Sequence, residues 1–593
     1  MKKEDRKLFS HRFHEESIFV HTTDEDLNPW DRTRIVAVLV NETGIDYQLA
    51  DKISEEIQTT VFSSGIRVVT SELVRELVNA KLIEYRFEKA RERNKRLGLS
   101  LHDVSGLLRF SAVHYPGPVP SPAGTGEIMS DILKRQFALS DIYPAHLHRM
   151  HLEGRFHVHG LSTPDRPWKV YLNAMDLLKF SYGVGGLVLE KPETPARFVG
   201  NFLKLNAVLS GFVGEGVHWA GIEDALIALG TTEIELPGIC AGLIQSGMTA
   251  LSTTEKGTGR AFHFSRPGVI NAVVSRMLEE KILNAFITTE SNNWFPSPFL
   301  VMNNKIPRET TYILESISLN LPGLAIRSIV EDTTPEVELK RLMHKALALF
   351  ARKRVFLEKV SAVRPGGPLD LLNHLGFNPS LSPCVIAVCG LNEWSRVLLD
   401  GDIDEGPDRF TRADEFLSTI QKQVFEESKQ GKIKLFLGTA DQGEAAYRFA
   451  RLDLKIQPFY ASRILNGEIR DGSVYYTKDA ALPSDKPLDI KKKAEIEGTF
   501  QRKFDLPFRT VVKCLDPDRL PAAHFSKTLQ HLLLTQDFSI CYNCFTMESG
   551  VYQTCPSCHS TEVATYFSGK EGYECALGQT RTEGMENSRF FFY

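Results

Sequence analysis

The chain has 593 residues, 42% of them hydrophobic and 24% charged, with a formal net charge of −4. That length exceeds one ordinary domain and predicts a large body with smaller appendages. A charge so close to balance gives no global electrostatic case for direct binding of nucleic acid or a membrane surface. The sequence shows no charged-then-apolar leader after Met1 and no apolar run long enough to cross a bilayer.

The first hundred residues read as a unit of their own. Ser17–His21 reads as a short apolar strand-like run, Thr22–Asp26 reads as a turn, and Trp30 onward opens a helical period. Ala50, Ile53, Ile57 and Val61 recur at helical spacing, and Thr70 stands where a helix cap belongs, ahead of Leu73, Val74, Leu77 and Val78. Charged Glu84–Arg96 is expected to follow as a solvated helix. From about 110 to 535, strand-like runs alternate with amphipathic stretches. The runs are Arg155–His159, Lys169–Leu172, Tyr312–Leu319, Cys384–Cys389, Lys432–Gly438 and Ser473–Thr477. Such alternation predicts an α/β body, without saying whether it closes into a barrel.

The last sixty residues carry the sharpest motif. Cys541-Tyr-Asn-Cys544 and Cys555-Pro-Ser-Cys558 are two CxxC pairs separated by ten residues, the spacing of two knuckles that offer four thiolates to one metal. Four thiolates close a tetrahedral shell, so the expectation is a structural zinc ribbon, with iron as the alternative. Of nine cysteines, the other five (Cys240, Cys384, Cys389, Cys514 and Cys575) form no disulfide-like framework, which points to a reducing, cytoplasmic setting.

The order of several segments resembles the anaerobic ribonucleoside-triphosphate reductases, which are glycyl-radical enzymes. The segments are "FVHTTDEDLNPWDRTRIVAVLVNETG", "SELVRELVNAKL", "LGLSLHDVSGLL", "HLEGRFHVHGL", "ISLNLPGLA", "VCGLNEW" and "VYYTKDA", followed by the knuckles and a Gly572-Tyr573 pair. The resemblance implies a ten-stranded α/β barrel, an ATP-cone-like helical domain before it and a zinc ribbon after it, divided here at 1–108, 109–535 and 536–593. It further implies a ribonucleoside triphosphate substrate, a nucleotide effector, a homodimer and a separate radical-SAM activase. In that scheme a glycyl radical oxidises a cysteine inside the barrel, the thiyl takes the 3′ hydrogen of the ribonucleotide, and formate or a small redox protein supplies electrons.

Residue by residue, Gly572 is the candidate radical glycine. It lacks a side chain, so an α-radical can flatten and delocalise into both flanking amides. "SGKEGYE" keeps the family's Gly-Tyr but lacks its arginine, whereas Gly584 in "RTEGMEN" keeps an arginine and ranks second. The thiyl cysteine is where the chain departs. The window "TTESNNWFPSPFLVMNN" holds none, no cysteine occurs between Cys240 and Cys384, and Asn292–Trp294 takes the expected loop tip. Neither an amide nor an indole offers the weak S–H bond that reversible hydrogen transfer needs. Cys384 and Cys389 remain candidates for that sulfur: five residues apart, they face opposite sides of a regular strand, so one can point inward. The plainer reading makes both small buried hydrophobes, and Cys240 likewise.

His157 and His159 alternate on one strand and resemble a metal pair. No third ligand accompanies them, and Gly160 stands where the family has an aspartate, so structural histidines are expected. The turn "HTTDED" is acidic where a nucleotide phosphate needs cations. Arg32 and Arg34 follow it, and a solvated helix start explains them equally well. Three functions therefore stand open: a divergent reductase, a non-catalytic paralogue acting by association with a true reductase, and a glycyl-radical enzyme with another substrate.

Overall fold

The computed structural model describes residues 18–21, 27–87, 90–91, 104, 122–184, 186–249, 259–264, 266, 269, 272, 286–289, 300–302, 309–362, 366–431, 433–440, 444–469, 473–483, 489–513, 528–529, 532–535, 538–541, 543–544, 546–549, 552–569 and 572–576. The chain divides into two units, one of residues 1–112, 125–136 and 590–593, the other of residues 113–124 and 137–589.

In the first unit, strands β1 (Phe19–His21), β2 (Leu27–Pro29) and β3 (Val68–Thr70) form a sheet of order β2-β1-β3. β2 runs antiparallel to β1 and β3 parallel to it. Helices Arg32–Val38, Tyr47–Ser63 and Ser71–Glu84 start at side-chain caps from Asp31, Asp46 and Thr70. Each cap satisfies a backbone N–H that the first helical turn leaves unpaired. Ile35, Ala50, Ile53, Ile57, Val61, Val78 and Leu82 share one core, as the helical spacing requires. Within the run Glu84–Arg96, where a further helix is expected, residues 90 and 91 are helical. The third helix stops at Glu84 and Arg86 takes a left-handed φ of 61°, so the chain breaks direction there. Arg32 pairs with Asp51 at 3.0 Å, and Arg34 lies 3.9 Å from Asp31.

In the second unit two mixed sheets dominate. The strands of the larger are β5 (Lys169–Asn173), β8 (Gly216–Ala220), β9 (Gly259–Phe264), β10 (Phe286–Thr289), β11 (Leu300–Met302), β12 (Thr311–Ile313), β18 (Thr510–Lys513) and β19 (Leu532–Thr535). Their order is β12-β5-β8-β9-β10-β11-β19-β18. β5, β8, β9, β10 and β11 are mutually parallel, β12 is antiparallel to β5, and β19 is antiparallel to β11. In the smaller sheet β13 (Ser316–Asn320), β14 (Cys384–Cys389) and β15 (Leu435–Leu437) run parallel, with β4 (Phe156–Val158) antiparallel to β13. Its order is β15-β14-β13-β4. Only Leu314 and Glu315 separate β12 from β13, and Gly438 after β15 makes a parallel bridge to Leu506 ahead of β18.

β4, β13 and β14 are buried on both faces, which is why β14 reads as an unbroken apolar run rather than an alternation. Val170, Val217, Trp219, Ile317, Leu319, Cys384, Ile386 and Val388 belong to one large core that also contains helix side chains such as Leu342, Phe350 and Leu417. The opposite faces contribute Tyr171, Ile313, Val385 and Ala387 to a small separate cluster with Trp168, Ala440 and Leu506. The run Tyr312–Leu319 is two strands rather than the one expected. The break falls at Glu315, whose buried carboxylate accepts from the Gly160 and Ser316 N–H groups and from Lys353 Nζ at 2.9 Å.

Two hairpins, β6 (Tyr182–Val184) with β7 (Leu187–Leu189) and β16 (Asn466–Glu468) with β17 (Ser473–Tyr475), stand outside the main sheets. A last antiparallel sheet comprises β20 (Phe538–Cys541), β21 (Met547–Ser549), β22 (Val563–Gly569) and β23 (Gly572–Ala576), in the order β21-β20-β22-β23. Among the described residues, no helix is long and apolar enough to cross a membrane.

Candidate functional site

Four of the segments singled out in the sequence meet at the C-terminal ends of β13 and β14. Asn320 closes β13 and caps the helix Leu321–Val330, its Oδ1 accepting from Gly323 N at 2.9 Å. Its Nδ2 donates to Gly154 O at 2.8 Å and to Asp453 Oδ2 at 2.9 Å. Cys389 closes β14 opposite Asn320 in the ladder. Gly390 follows at φ 80°, a conformation open to glycine at little cost, and turns the chain into the helix Leu391–Leu399. Within that helix's first turn, Glu393 accepts from Thr477 N at 3.0 Å and Thr477 Oγ1 at 2.7 Å. The Thr477 carbonyl accepts from Gly390 N at 2.7 Å and from Cys389 Sγ at 3.5 Å. "HLEGRFHVHGL", "ISLNLPGLA", "VCGLNEW" and "VYYTKDA" thus form one hydrogen-bonded assembly.

This assembly is polar and buried. Asn320, Glu393, Thr477 and Asp453 are all buried, and Tyr476 OH donates to Asp453 Oδ2 at 3.1 Å. Burial pushes the Asp453 carboxyl up to about 6, against the donors from Asn320 and Tyr476 and the nearby Arg327 charge. Arg327 is pulled down to about 10, first by burial. Its Nε and Nη2 are sealed from solvent with no hydrogen-bond partner among the described residues. Neither Asp453 nor Arg327 carried a motif. Only tertiary contact reveals them, whereas Asn320, Glu393, Tyr476 and Thr477 lay inside segments already marked.

The structure separates the two strand cysteines. Cys384 joins the large core with Ile386 and Val388, and burial pushes its thiol up to about 12. Cys389 lies among Ile326, Phe449, Val474 and Tyr476 and reaches the Thr477 carbonyl. Cys240 is buried in the helix Leu236–Thr249, its thiol also raised to about 12, first by burial. Cys514, Gly584 and Asn292–Trp294 lie outside the described residues, as does the turn at residues 22–26.

The histidines cluster without forming a metal shell. The rings of His157 and His159 are 4.6 Å apart and those of His151 and His157 5.1 Å apart. His159 Nε2 meets Ser318 Oγ at 2.8 Å, and Val158 N donates to His151 Nδ1. A Cβ on Gly160 would lie 2.5 Å from Glu315 Oε2, so the Glu315–Lys353 pair fills the space a side chain there would need.

Among the described residues, one group assembles metal donors: the sulfurs of Cys541, Cys544, Cys555 and Cys558, all within 4.8 Å of one another. Cys541 and Cys558 are 3.5 Å apart and Cys544 and Cys555 3.6 Å. A tetrahedral ion with bonds of about 2.3 Å to sulfur separates its ligands by roughly 3.8 Å, so the donor set fits zinc. Each knuckle is closed by its backbone, Cys541 N to Thr546 O and Cys555 N to Ser560 O. The Thr546 hydroxyl, then its N–H, holds the Cys544 thiol down at about 6. Gly572 lies in the same sheet. It pairs with Gly569 at the turn end of the β22–β23 hairpin, and Cys575 pairs with Tyr566 along it.

Comparison with known proteins agrees with this architecture. The family described as anaerobic ribonucleoside-triphosphate reductase matches residues 297–573, nearly half of the chain. No curated protein matches. Among solved structures, the anaerobic ribonucleotide reductase of Thermotoga maritima with dATP bound in the specificity site is similar at a TM-score of 0.59 and 11% identity, covering 88% of this chain and 98% of that one. The same enzyme in complex with dATP and CTP gives 0.58 and 11%, over 75% and 89%. A further anaerobic ribonucleotide reductase gives 0.59 and 11%, over 95% and 97%. At such identity the structural likeness is one of fold, and the sequence match supplies the lineage. Over residues 297–573 the chain matches the anaerobic ribonucleoside-triphosphate reductase family, and its fold is similar to that of solved anaerobic ribonucleotide reductases.

Proposed function

We propose that the chain is a radical ribonucleoside-triphosphate reductase in which Cys389 bears the hydrogen-abstracting sulfur. One observation carries this: Cys389 ends a central parallel strand inside a buried polar assembly, whereas Cys384 on the same strand packs into the large apolar core. The strand pairings support a closed ring of ten, counting β12 and β13 as one strand, in the order β5-β8-β9-β10-β11-β19-β18-β15-β14-β13. The small cluster around Trp168, Tyr171 and Ala387 would then line the interior.

A glycyl radical installed by a radical-SAM activase supplies the unpaired electron in such chemistry, with Gly572 as the first candidate and Gly584 as the second. The chain's own residues would hold the sulfur, exclude water and bind a ribonucleoside triphosphate. The first unit, a three-stranded sheet with capped helices, is read as a degenerate ATP-cone-like domain, and a nucleotide effector as a partner of the chain. The ribbon is read as a structural zinc site, the assembly as a homodimer, and the setting as cytoplasmic.

The test is anaerobic activation followed by assay for deoxynucleotide. Cys389→Ser is expected to abolish product and Cys384→Ala to keep it; the reverse pattern would sink the assignment. Exposure of the activated protein to oxygen should cut the chain at the radical glycine, and the fragment mass decides between Gly572 and Gly584. A second reading, the non-catalytic paralogue, is favoured by the lack of any cysteine between Cys240 and Cys384. It predicts nucleotide binding with no turnover in protein that carries the radical. The third, another substrate, predicts radical loss on adding a compound other than a nucleotide.

A further inference from the structure

We infer that Glu393 is a positioning residue for the Cys389 thiol, acting through Thr477; the inference rests on the reading of Cys389 as the reacting sulfur. Glu393 is fully buried and has three donors on its two carboxylate oxygens. Oε2 takes the Thr477 N–H and hydroxyl, and Oε1 takes Asn466 Nδ2 at 2.5 Å. The N-terminal turn of its helix favours a negative charge there, and hydrogen bonds to an ionised acceptor are the strong ones.

Thr477 is therefore held at every polar atom. Its N–H and hydroxyl go to Glu393, and its carbonyl receives Gly390 N at 2.7 Å and the Cys389 thiol at 3.5 Å. That carbonyl is an acceptor fixed in space for the S–H group. With the hydrogen committed to it, rotation about the Cys389 Cα–Cβ bond is restrained and the sulfur keeps one position. Asn466 opens β16 and Thr477 lies two residues past the end of β17, so a single carboxylate ties both ends of that hairpin to the turn following the cysteine. A radical-bearing sulfur has to return to one place in each turnover, and a misplacement of about 1 Å can cost 100-fold in rate.

Infrared spectroscopy of the full-length, metal-loaded protein tests this directly, since subtracting the Cys389→Ser spectrum isolates the Cys389 S–H stretch. In Glu393→Gln the new amide N–H₂ opposes a donor, and the stretch is expected to move toward that of a thiol without a hydrogen bond. Thr477→Ser should leave it in place. An unmoved stretch in folded Glu393→Gln would overturn the inference. If that variant does not fold, Thr477→Val, which removes only the hydroxyl anchor, must shift the band instead, and an unmoved band there is equally fatal. In turnover, kcat should fall about 100-fold in Glu393→Gln with KM little changed. Full activity in Cys389→Ser would sink the assignment of the sulfur while the band still decides the role of Glu393.

Discussion

Asn320 and Asp453 lie 133 residues apart in the chain and meet through a buried hydrogen bond of 2.9 Å. The bond ties the end of β13 to the helix Glu444–Ile456. Every polar atom of the Asn320 side chain is engaged, with Gly154, Asp453 and Gly323. Asp453 also carries the proton balance of this network.

The raised Asp453 carboxyl makes stability depend on pH in a defined direction. Its value rises from 3.8 to about 6 on folding because burial disfavours the carboxylate, so the native state holds the proton longer than the unfolded chain. The contribution is therefore complete below about pH 4 and is lost as pH rises through 6, a change on the order of 3 kcal/mol. Urea denaturation of wild type and Asp453→Asn across this range should show the difference between them drifting against the wild type as pH rises, then levelling. A difference that grows in favour of the wild type would contradict the assignment.

Gly390 is expected to tolerate no side chain. At φ 80° an L-residue is strained, and a Cβ would sit 2.5 Å from Pro322 Cγ. Gly390→Ala should cost roughly 2–4 kcal/mol, combining left-handed strain with overpacking. Thermal denaturation measures it, and Gly238→Ala, where nothing lies within 4 Å of the added Cβ, is the control.

Lys353 and Glu315 are both fully buried, 2.9 Å apart. Removing one partner strands the other charge, so Lys353→Met should lose roughly 3–5 kcal/mol. Restoring much of that in Lys353→Met/Glu315→Gln would show that the stranded carboxylate is the cause. Equal losses in the single and double variants would assign it to the contacts of Lys353 itself, including its bond to the Thr163 carbonyl.

Chelation should release one metal ion per chain and leave four titratable thiols, detected by metal analysis and a thiol reagent. Cys541→Ser should lower metal occupancy and expose the β20–β23 sheet to proteolysis, because ligation and folding of such a ribbon are one equilibrium. Full protection without metal would refute a structural role.

Much of this was legible in local chemistry. The four-cysteine set follows from spacing alone, β14 spans the residues its apolar run predicted, and Thr70 caps the helix it was expected to cap. β8 to β11, β18 and β19 were not read, since runs of only three to six residues show no period that separates them from helix segments. The division of Tyr312–Leu319 depends on Lys353, 38 residues beyond Glu315, and the role of Asp453 depends on a residue 133 positions away. Such long-range pairing leaves no trace in a short window. The marked segments were right in place, but their meaning as one assembly required the fold.

Two residues separate β19 from β20, and β20 ends in the first cysteine of the metal ribbon. A span that short reaches no further than about 10 Å even when fully extended, so the start of the ribbon cannot lie farther than that from the end of β19. β19 is itself the seam where the parallel run of β5 to β11 meets β18. Unfolding of the ribbon on metal loss would therefore begin within two residues of the strand that joins the two runs of the large sheet.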